Sequence, residues 1–242
     1  MGISTLALVG VAGGAGTTRT AVEMAATLAR ADRSVAVLDT AFGTQGLATY
    51  VEGRITDDMT AVAVGEASLT GALYDADFDA PGRVALCPAH TPFERLARAK
   101  APDHARAIET AVAEAAERFD HVLLDVPPVA ANPAVAALTT ASRRALVAPA
   151  TQRGRDLLPR QRGRVRDLDA PADAVVATRA DAPDAVAIED ADITLPDGDP
   201  VGPTALDPDA PLAPAVATAV EALLAVELGL DFEDDSLLSR LQ

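Results

Sequence analysis

Residues 10–20, GVAGGAGTTRT, are the part of the sequence whose residue types are best suited to chemistry. Glycines let the backbone take positive φ, so that several N–H groups can point toward one ion. The hydroxyl residues Thr17 and Thr18 follow the glycines and open a stretch with helical periodicity. Because a helix N-terminus adds partial positive charge to these N–H groups, the loop predicts a site for an anion, most often a phosphate.

Acidic side chains end two apolar runs elsewhere in the chain, Asp39 in SVAVLD and Asp125 in FDHVLLD. An acid at the end of a strand can hold Mg²⁺, or a water bound to it, opposite a hydroxyl of a phosphate-binding loop. Thr18 and Asp125 are therefore the candidate pair of magnesium ligands. Taken alone, a strand that ends in aspartate is common and more often structural.

Apolar runs alternate with helical patterns along the chain, which predicts one large α/β domain. Residues 4–10 predict a buried strand and residues 17–30 a helix with an apolar inner side. Further strands are predicted in 34–39, 83–89, 119–128 and 172–181. Helices are predicted in 57–74, in 92–118 with a break near Pro102, and in 211–229 ending at Gly229. Residues 132–151 predict a helix and then a strand, and residues 188–206 predict a loop.

The composition is strongly acidic, with a formal net charge of −16, 25 Asp and 11 Glu against 19 Arg and one Lys. This usage resembles the proteins of salt-loving archaea, so the acidity indicates a habitat rather than a basic partner. The single cysteine, Cys87, lies in an apolar run and is predicted to be a core residue. With no basic leader and no apolar segment of membrane-spanning length, we expect a cytoplasmic protein.

The loop residues AGGAGTTR, 12–19, resemble the deviant Walker A motif KGGxGKT[ST] of the ParA/MinD family of ATPases. The DVPP turn at 125–128 and the segment after it resemble the same family, most closely its pilus-assembly-related subgroup. Residues 188–206 resemble the family's late strand and the loop that closes over the base. The resemblance implies a P-loop NTPase with a doubly wound, mainly parallel sheet over residues 1–228, followed by an acidic tail, 229–242. It implies Mg·ATP at nucleotide-binding positions Gly13, Gly14, Ala15, Gly16, Thr17, Thr18, Arg19 and Thr178, with Thr18 and Asp125 at the metal.

The phosphate loop departs from the family pattern at both lysines. Ala12 replaces the signature lysine, which in the family reaches across a dimer, and Thr17 replaces the lysine that meets the β and γ phosphates. Arg19 could lend a charge from the first helical turn. Thr178 stands where the family has an asparagine that reads adenine, so the selectivity for the base is open as well.

The hydrolytic positions depart from the pattern too. Asp39 matches the first aspartate of the family's Asp-x-Asp, whereas Ala41 replaces the second, which orients the attacking water. Thr40 or Gln45 could hold a water in its place. The resemblance therefore implies a positioning or assembly switch that is at best a slow Mg-dependent ATPase, or a pseudo-ATPase.

Two alternatives stay open. The chain could be a catalytically dead structural partner of an intact paralogue, since the family works as dimers and this protein could form a homodimer or a heterodimer. It could also be a non-catalytic NAD(P)-binding module, because Gly10, Gly13 and Gly16 spell GxxGxxG and Asp39 follows at the distance of a ribose-binding acid. The only lysine, Lys100, follows no tyrosine at catalytic spacing, so NAD(P) is not the expected cofactor.

Six arginines, which we call the arginine cluster, lie in the segment Arg153–Arg166 of this acidic chain. They could contact DNA phosphates, but ion pairs with the abundant aspartates are the favoured interpretation. The tail is acidic, so it would be repelled by an anionic bilayer, unlike the basic C-terminal helix with which MinD docks on membranes.

Overall fold

In a computed structural model of the chain, residues 5–198 and 202–232 are described, and within them the fold is built on an eight-stranded sheet. The strand order is β3-β4-β2-β5-β1-β6-β7-β8. Neighbouring strands are parallel, except that β3 runs antiparallel to β4. The strands are β1 Thr5–Gly10, β2 Ser34–Asp39, β3 Tyr74–Asp75, β4 Arg83–Cys87, β5 His121–Val126, β6 Arg143–Pro149, β7 Ala174–Thr178 and β8 Ile193–Leu195.

Helices cover both faces of this sheet, which confirms the predicted doubly wound, mainly parallel α/β class. The α-helices are α1 Thr17–Arg30, α2 Met59–Ala63, α3 Phe93–Ala99, α4 Ala105–Arg118, α5 Asn132–Thr140, α6 Gln152–Asp167 and α7 Leu212–Leu224. Short 3₁₀ helices are Gly46–Tyr50, Thr70–Ala72, Pro102–His104 and Thr204–Leu206. The break predicted near Pro102 is present, between α3 and α4.

The predicted end of the last helix is wrong. The last helix, α7, ends at Leu224 rather than at Gly229, because Ala225 takes a left-handed conformation with φ 52°. Residues 188–206, predicted as a loop from their composition, contain the short strand β8, as the resemblance to a late strand and loop implied, and β8 pairs with β7 at the edge of the sheet. A run of three residues next to prolines and glycines carries too little pattern to be recognised as a strand.

The two faces of the sheet have separate apolar cores. Alternate residues of each central strand point to opposite faces, so Leu6 and Leu8 pack with α1 and α7, whereas Ala7 and Val9 pack with α2 to α6. Cys87 is fully buried on the second face, as predicted, and burial raises the pKa of its thiol well above the usual value. This thiol is therefore a packing group rather than a nucleophile.

The strand order places a crevice above β1. From β1 the chain continues to strands on one side and later returns through β6 on the other side, so the direction of winding reverses at β1. Ligands of open α/β sheets bind outside the carboxyl ends of the strands at such a point. The register of the parallel pairs sets Leu8 and Asp39 both beside Asp125, which brings the ends of β1, β2 and β5 to the same edge.

The chain after α7 packs back onto the sheet. Leu230 and Phe232 are partly buried against the core of α1 and α7, and the Arg30 guanidinium lies 5.3 Å from the centre of the Phe232 ring. Residues 1–4, 199–201 and 233–242 lie outside the described part, including the start of the predicted first strand and most of the predicted tail, and the boundary at 228 stays a prediction. Within the described residues, no helix has the length and apolarity to cross a membrane.

Two glycines of α6 offer a matched test of this packing. A Cβ on Gly154 would overlap the carbonyl oxygen of Pro149 at the end of β6, whereas a Cβ on Gly163 would meet nothing within 4 Å. We expect Gly154→Ala to lower the free energy of unfolding by about 1–3 kcal/mol, and Gly163→Ala to leave it unchanged or raise it by up to about 1 kcal/mol. Denaturant unfolding of both variants measures this, and equal effects would contradict the close approach of α6 to β6.

Candidate functional site

A cavity of about 690 Å³ lies at the carboxyl edge of the sheet, between the glycine loop, the end of β5, the end of β7 and α7. The tertiary structure brings together every nucleotide-binding candidate from the sequence. The candidates that line the cavity are Gly13, Gly14, Ala15, Gly16, Thr17, Thr18, Arg19 and Thr178, together with the metal candidate Asp125. Their roles in binding stay predictions, but their positions agree with a single ligand site.

The glycine loop has the backbone conformation that an anion cradle requires. Gly14 and Gly16 have φ of 74° and 86°, a region that L-residues with side chains rarely occupy. Gly16 is the N-cap residue of α1, and it has no side chain that could accept a hydrogen bond from the first turn of that helix. The first-turn N–H groups of α1 therefore face the cavity side of the loop with the positive end of the helix dipole behind them.

Thr18 and Asp125 meet at the floor of the cavity. The Thr18 hydroxyl donates a hydrogen bond of 2.5 Å to Oδ2 of Asp125, across 107 residues of sequence. Asp125 is almost fully buried at the end of β5, and burial raises its pKa to about 6, while the hydrogen bond from Thr18 opposes this shift. A hydroxyl and a carboxylate in contact are two hard oxygen donors of the kind that Mg²⁺ binds beside a phosphate.

Asp39 lies behind Asp125 rather than in the cavity. It is fully buried opposite Asp125 in the β2–β5 pair, where its carboxylate accepts the N–H groups of Ala41 at 2.8 Å and Ala89 at 3.3 Å. Burial, and next the negative charge of Asp125, raise the pKa of Asp39 to about 8. Asp39 is not among the lining residues, so any effect on a ligand passes through Asp125.

The residues that the sequence offered as substitutes for a water-orienting aspartate are engaged elsewhere. Thr40 is buried and donates to the carbonyl of Asp125 at 2.8 Å. The Gln45 amide pairs with both backbone groups of Thr91, at 3.1 and 3.2 Å. Ala41 lines the cavity with a methyl group. None of these three side chains presents a polar group to an attacking water.

Arg19 does not take the place of the missing loop lysine. Its Nε donates to Oε1 of the buried Glu23 at 2.6 Å, and its Nη2 donates to the Thr204 hydroxyl at 2.7 Å. Glu23 also accepts the backbone N–H groups of Thr204 and Ala205, at 2.9 and 2.7 Å. The side chain of Arg19 thus lines the cavity while its guanidinium fastens α1 to the 3₁₀ helix at Thr204–Leu206. Its spacing of four residues from Glu23 is the sequence signal for this pair.

Arg179 is a cavity residue that sequence reasoning missed. It follows the last residue of β7, has φ 56°, and donates from Nη2 to the carbonyl of Gly14 at 2.6 Å. Its neighbour Thr178 donates to the carbonyl of Ala15 at 2.8 Å. The last residue of β7 and the residue after it therefore hold consecutive carbonyls of the loop. The available signal was position, since Arg179 directly follows a strand that ends at this edge of the sheet.

The arginine cluster lies on α6, away from the residues that line the cavity. Arg162 forms an ion pair with Asp190 at 2.7 Å. Among the described residues, this is the one ion pair that the arginine cluster makes with a carboxylate. Arg164 donates to the carbonyl of Val129 at 3.1 Å. The favoured interpretation as ion pairs is therefore confirmed at Arg162, and DNA contact through the remaining arginines is not proposed.

Comparison with known proteins agrees with this geometry. A family model described as an AAA domain (AAA_31) matches residues 3–153. The fold is similar to a chain of the MinC:MinD cell division protein complex of Aquifex aeolicus, with a TM-score of 0.74, 19% identity, and coverage of 94% of this chain and 98% of that chain. It is similar to the cell division ATPase MinD of Pyrococcus furiosus, with a TM-score of 0.73, 18% identity, and coverage of 90% and 97%.

A further similar structure is the septum site-determining protein MinD of Pyrococcus horikoshii complexed with Mg-ADP. Its TM-score is 0.64 at 18% identity, with coverage of 93% of this chain and 88% of that chain. At these identities the similarity shows the fold. No curated protein matches the sequence.

The buried acid pair predicts a dependence of stability on pH. The folded metal-free protein keeps a proton on Asp39 up to about pH 8, whereas the unfolded chain releases it near the ordinary pKa of 3.8. The free energy of unfolding should therefore fall as the pH rises from 6 to 8, because the unfolded chain releases this proton and the folded protein keeps it. Asp39 contributes up to about 1.4 kcal/mol per pH unit to this slope of free energy against pH. Asp39→Asn should reduce the slope.

Denaturant unfolding in the presence of a chelator at several pH values measures the slope. Asp32→Asn, at an exposed acid in the turn before β2, is the control and should keep the slope of the parent protein. An unchanged slope in Asp39→Asn would show that the pair does not hold this proton.

Proposed function

The chain belongs to the AAA-domain family, and we propose that it is a ParA/MinD-like switch that binds a Mg²⁺-nucleotide and has weak or absent ATP hydrolysis. ATP is the nucleotide that the family resemblance implies. The observation that carries the proposal is the 2.5 Å hydrogen bond between Thr18 and Asp125 at the floor of the cavity. It joins the loop that would hold phosphate to the acid that would hold the metal.

The residues present fit a magnesium ion. Thr18 and Asp125 supply oxygen donors next to the first turn of α1, and Mg²⁺ is commonly bound by one or two protein oxygens together with phosphates and waters. When bound, the ion would neutralise charge on the phosphates. Thr18 and Asp125 would hold it, while the loop N–H groups would hold the phosphate oxygens. The MinD structure from Pyrococcus horikoshii contains Mg-ADP, which supports this class of ligand.

Slow or absent turnover follows from what the site lacks. The positions of the two family lysines carry Ala12, which is buried, and Thr17, which lines the cavity. Arg19 and Arg179 line the same cavity, but the guanidinium groups of both already donate to protein oxygens. Ala41 has no group to orient a water. The site therefore keeps the means to bind phosphate and loses charge stabilisation in the transition state.

A binding site without rapid chemistry suits a positioning or assembly switch that works through a protein partner. We propose a homodimer, or a heterodimer with an intact paralogue in which this chain is the catalytically dead subunit. The similar Aquifex aeolicus structure is itself a complex of two cell division proteins. We also propose that residues 1–228 form one domain and that residues 229–242 form an acidic tail. The protein is proposed to be cytoplasmic and adapted to salt.

A dinucleotide-binding module has less support. That alternative needs Asp39 to bind a ribose, and Asp39 is fully buried behind Asp125, outside the lining of the cavity. Its carboxylate is already held by the N–H groups of Ala41 and Ala89. A ribose hydroxyl could reach it only if the end of β2 were rearranged.

Ligand-induced stabilisation tests the proposed site. A ligand at about 100 times its dissociation constant adds about 2.7 kcal/mol to the free energy of unfolding. In high salt we expect millimolar Mg·ATP or Mg·GTP to raise the unfolding midpoint, NAD to leave it unchanged, and Thr18→Ala to abolish the rise by removing a metal ligand. Thr49→Ala, which removes a cavity hydroxyl that donates to the carbonyl of Gly46 and not to Asp125, should respond like the parent. A protein that no nucleotide stabilises would refute the proposal.

Restoring a loop lysine tests the cause of the weakened site. Thr17→Lys should tighten the binding of a Mg·nucleoside triphosphate roughly tenfold, because a charged donor then reaches the phosphates. Thr49→Lys adds the same charge elsewhere on the cavity wall and should have a much smaller effect. Titration calorimetry compares the two variants. Equal gains would show that general charge, rather than position 17, limits affinity.

A further inference from the structure

Two side chains at the end of β7 hold the backbone of the glycine loop. The Thr178 hydroxyl donates to the carbonyl of Ala15 at 2.8 Å, and Nη2 of Arg179 donates to the carbonyl of Gly14 at 2.6 Å. A Cβ on Gly16 would lie 3.5 Å from the Thr178 hydroxyl, so the loop and the end of β7 are in close contact. Two successive peptide groups of the loop are therefore fixed by side chains 163 and 165 residues away in the sequence.

These two bonds also fix the direction of two N–H groups. In a planar trans peptide, the C=O of one residue and the N–H of the next residue point in opposite directions. Because the carbonyls of Gly14 and Ala15 are held toward the end of β7, the N–H groups of Ala15 and Gly16 point away from it. Within the described part of the chain, neither N–H donates to a protein acceptor, and both residues line the cavity. The two groups are therefore available to an anion.

The backbone of Arg179 is strained at this contact. Its φ of 56° lies in the left-handed region, which is costly for any residue other than glycine. Such a conformation persists where the surrounding structure imposes it, commonly at a functional site. Among the described residues, Arg179 forms no ion pair, although the chain has 36 acidic residues. A guanidinium that bonds to a neutral carbonyl in so acidic a chain indicates a role at that carbonyl.

The charge of Arg179 also strengthens the loop as a donor. A hydrogen bond from a charged donor is stronger than a neutral one, and bonded groups in series polarise one another. The guanidinium on the Gly14 carbonyl therefore makes the N–H of Ala15, in the same peptide group, a better donor to an anion. The loop has Ala12 and Thr17 in place of lysines. Part of the missing positive charge can thus act on a phosphate through this peptide group.

We propose that Arg179 and Thr178 are positioning residues of the phosphate site. Both orient loop N–H groups toward the phosphate, and Arg179 in addition polarises the N–H of Ala15. The proposal rests on the proposed function, since it assumes that phosphates occupy the glycine loop. It assigns to both side chains a contact with the loop rather than with the ligand, so their effect is the same for any ligand that places phosphates there.

Titration calorimetry in high salt with Mg²⁺ tests this role, using inorganic tripolyphosphate and ADP as ligands. Arg179→Ala should weaken the binding of both by the same factor, roughly 3- to 10-fold, because the loop N–H groups hold phosphate in each case. Arg179→Lys keeps a charged donor and should recover most of the loss. Arg160→Ala, at an exposed arginine of α6 outside the cavity lining, should bind both ligands like the parent.

The outcomes separate this proposal from the proposed function. If Arg179→Ala binds both ligands as tightly as the parent, this proposal is overturned and the proposed function stands. A loss confined to ADP would also overturn it, because it would show a contact with the nucleoside. If the parent binds neither ligand, the proposed function fails and this proposal fails with it.

A matched pair of variants tests Thr178. Thr178→Val keeps the shape of the side chain and removes the donor, so it should weaken the binding of tripolyphosphate. Thr178→Ser keeps the hydroxyl and should bind nearly as tightly as the parent. Equal affinities of the valine and serine variants would refute the role of the Thr178 hydroxyl.

The amide signal of Ala15 is a readout that does not depend on a ligand. In ¹⁵N-labelled protein, Arg179→Ala should move the Ala15 amide proton upfield, because its peptide group loses a cationic partner, and Arg179→Lys should move it much less. Arg160→Ala should leave the signal in place. An Ala15 signal that is the same in Arg179→Ala and in the parent would overturn the proposed polarisation.

Discussion

The burial of Asp39 and Asp125 side by side, at the carboxyl ends of β2 and β5, is the constraint on which the structure around the site depends. An uncompensated buried carboxylate costs several kcal/mol, so each must be neutralised or given donors. Asp125 receives the Thr18 hydroxyl, and Asp39 receives the N–H groups of Ala41 and Ala89. The first of these contacts fixes the start of α1 against β5, and the glycine loop between β1 and α1 is held in place as a result.

The two arginines of the site, Arg19 and Arg179, already bind oxygen atoms of the protein. Arg19 fastens α1 to the segment at Thr204, and Arg179 fastens the glycine loop to the end of β7. Both use the fixed fork of the guanidinium, which can bond one protein oxygen and keep other donors in position. A lysine at position 12 or 17 would act as a mobile point charge instead. This difference is the physical basis for proposing a site that binds and positions a nucleotide more readily than it transfers a phosphoryl group.

A single helix links the two ends of the cavity. The first turn of α1 lies at the phosphate loop, and Glu23 lies on the next turn of the same helix, where it accepts the backbone N–H groups of Thr204 and Ala205. Because Glu23 is buried and holds three donors, displacement of this segment would leave a buried charge without partners.

The sequence by itself determined the alternation of strands and helices except at β3 and α6, together with the glycine loop and the pairing of Thr18 with Asp125. The alternation follows from the local pattern of apolar residues. The glycine loop and the pair of Thr18 and Asp125 follow from the residue types and the spacing of a phosphate-binding motif. It did not determine what Arg19, Arg179 and Asp39 contact. Those contacts join residues far apart in the chain, such as Arg19 to Thr204 and Arg179 to Gly14.

Only the tertiary structure decided that Arg19 reaches the Thr204 hydroxyl, that Asp39 lies behind Asp125, and that α7 ends at Leu224. No periodicity encodes such contacts, because they depend on which strands become neighbours and on how far each side chain reaches once they do. The direction of a side chain at the edge of a sheet is set by its packing partners, and these come from distant parts of the chain.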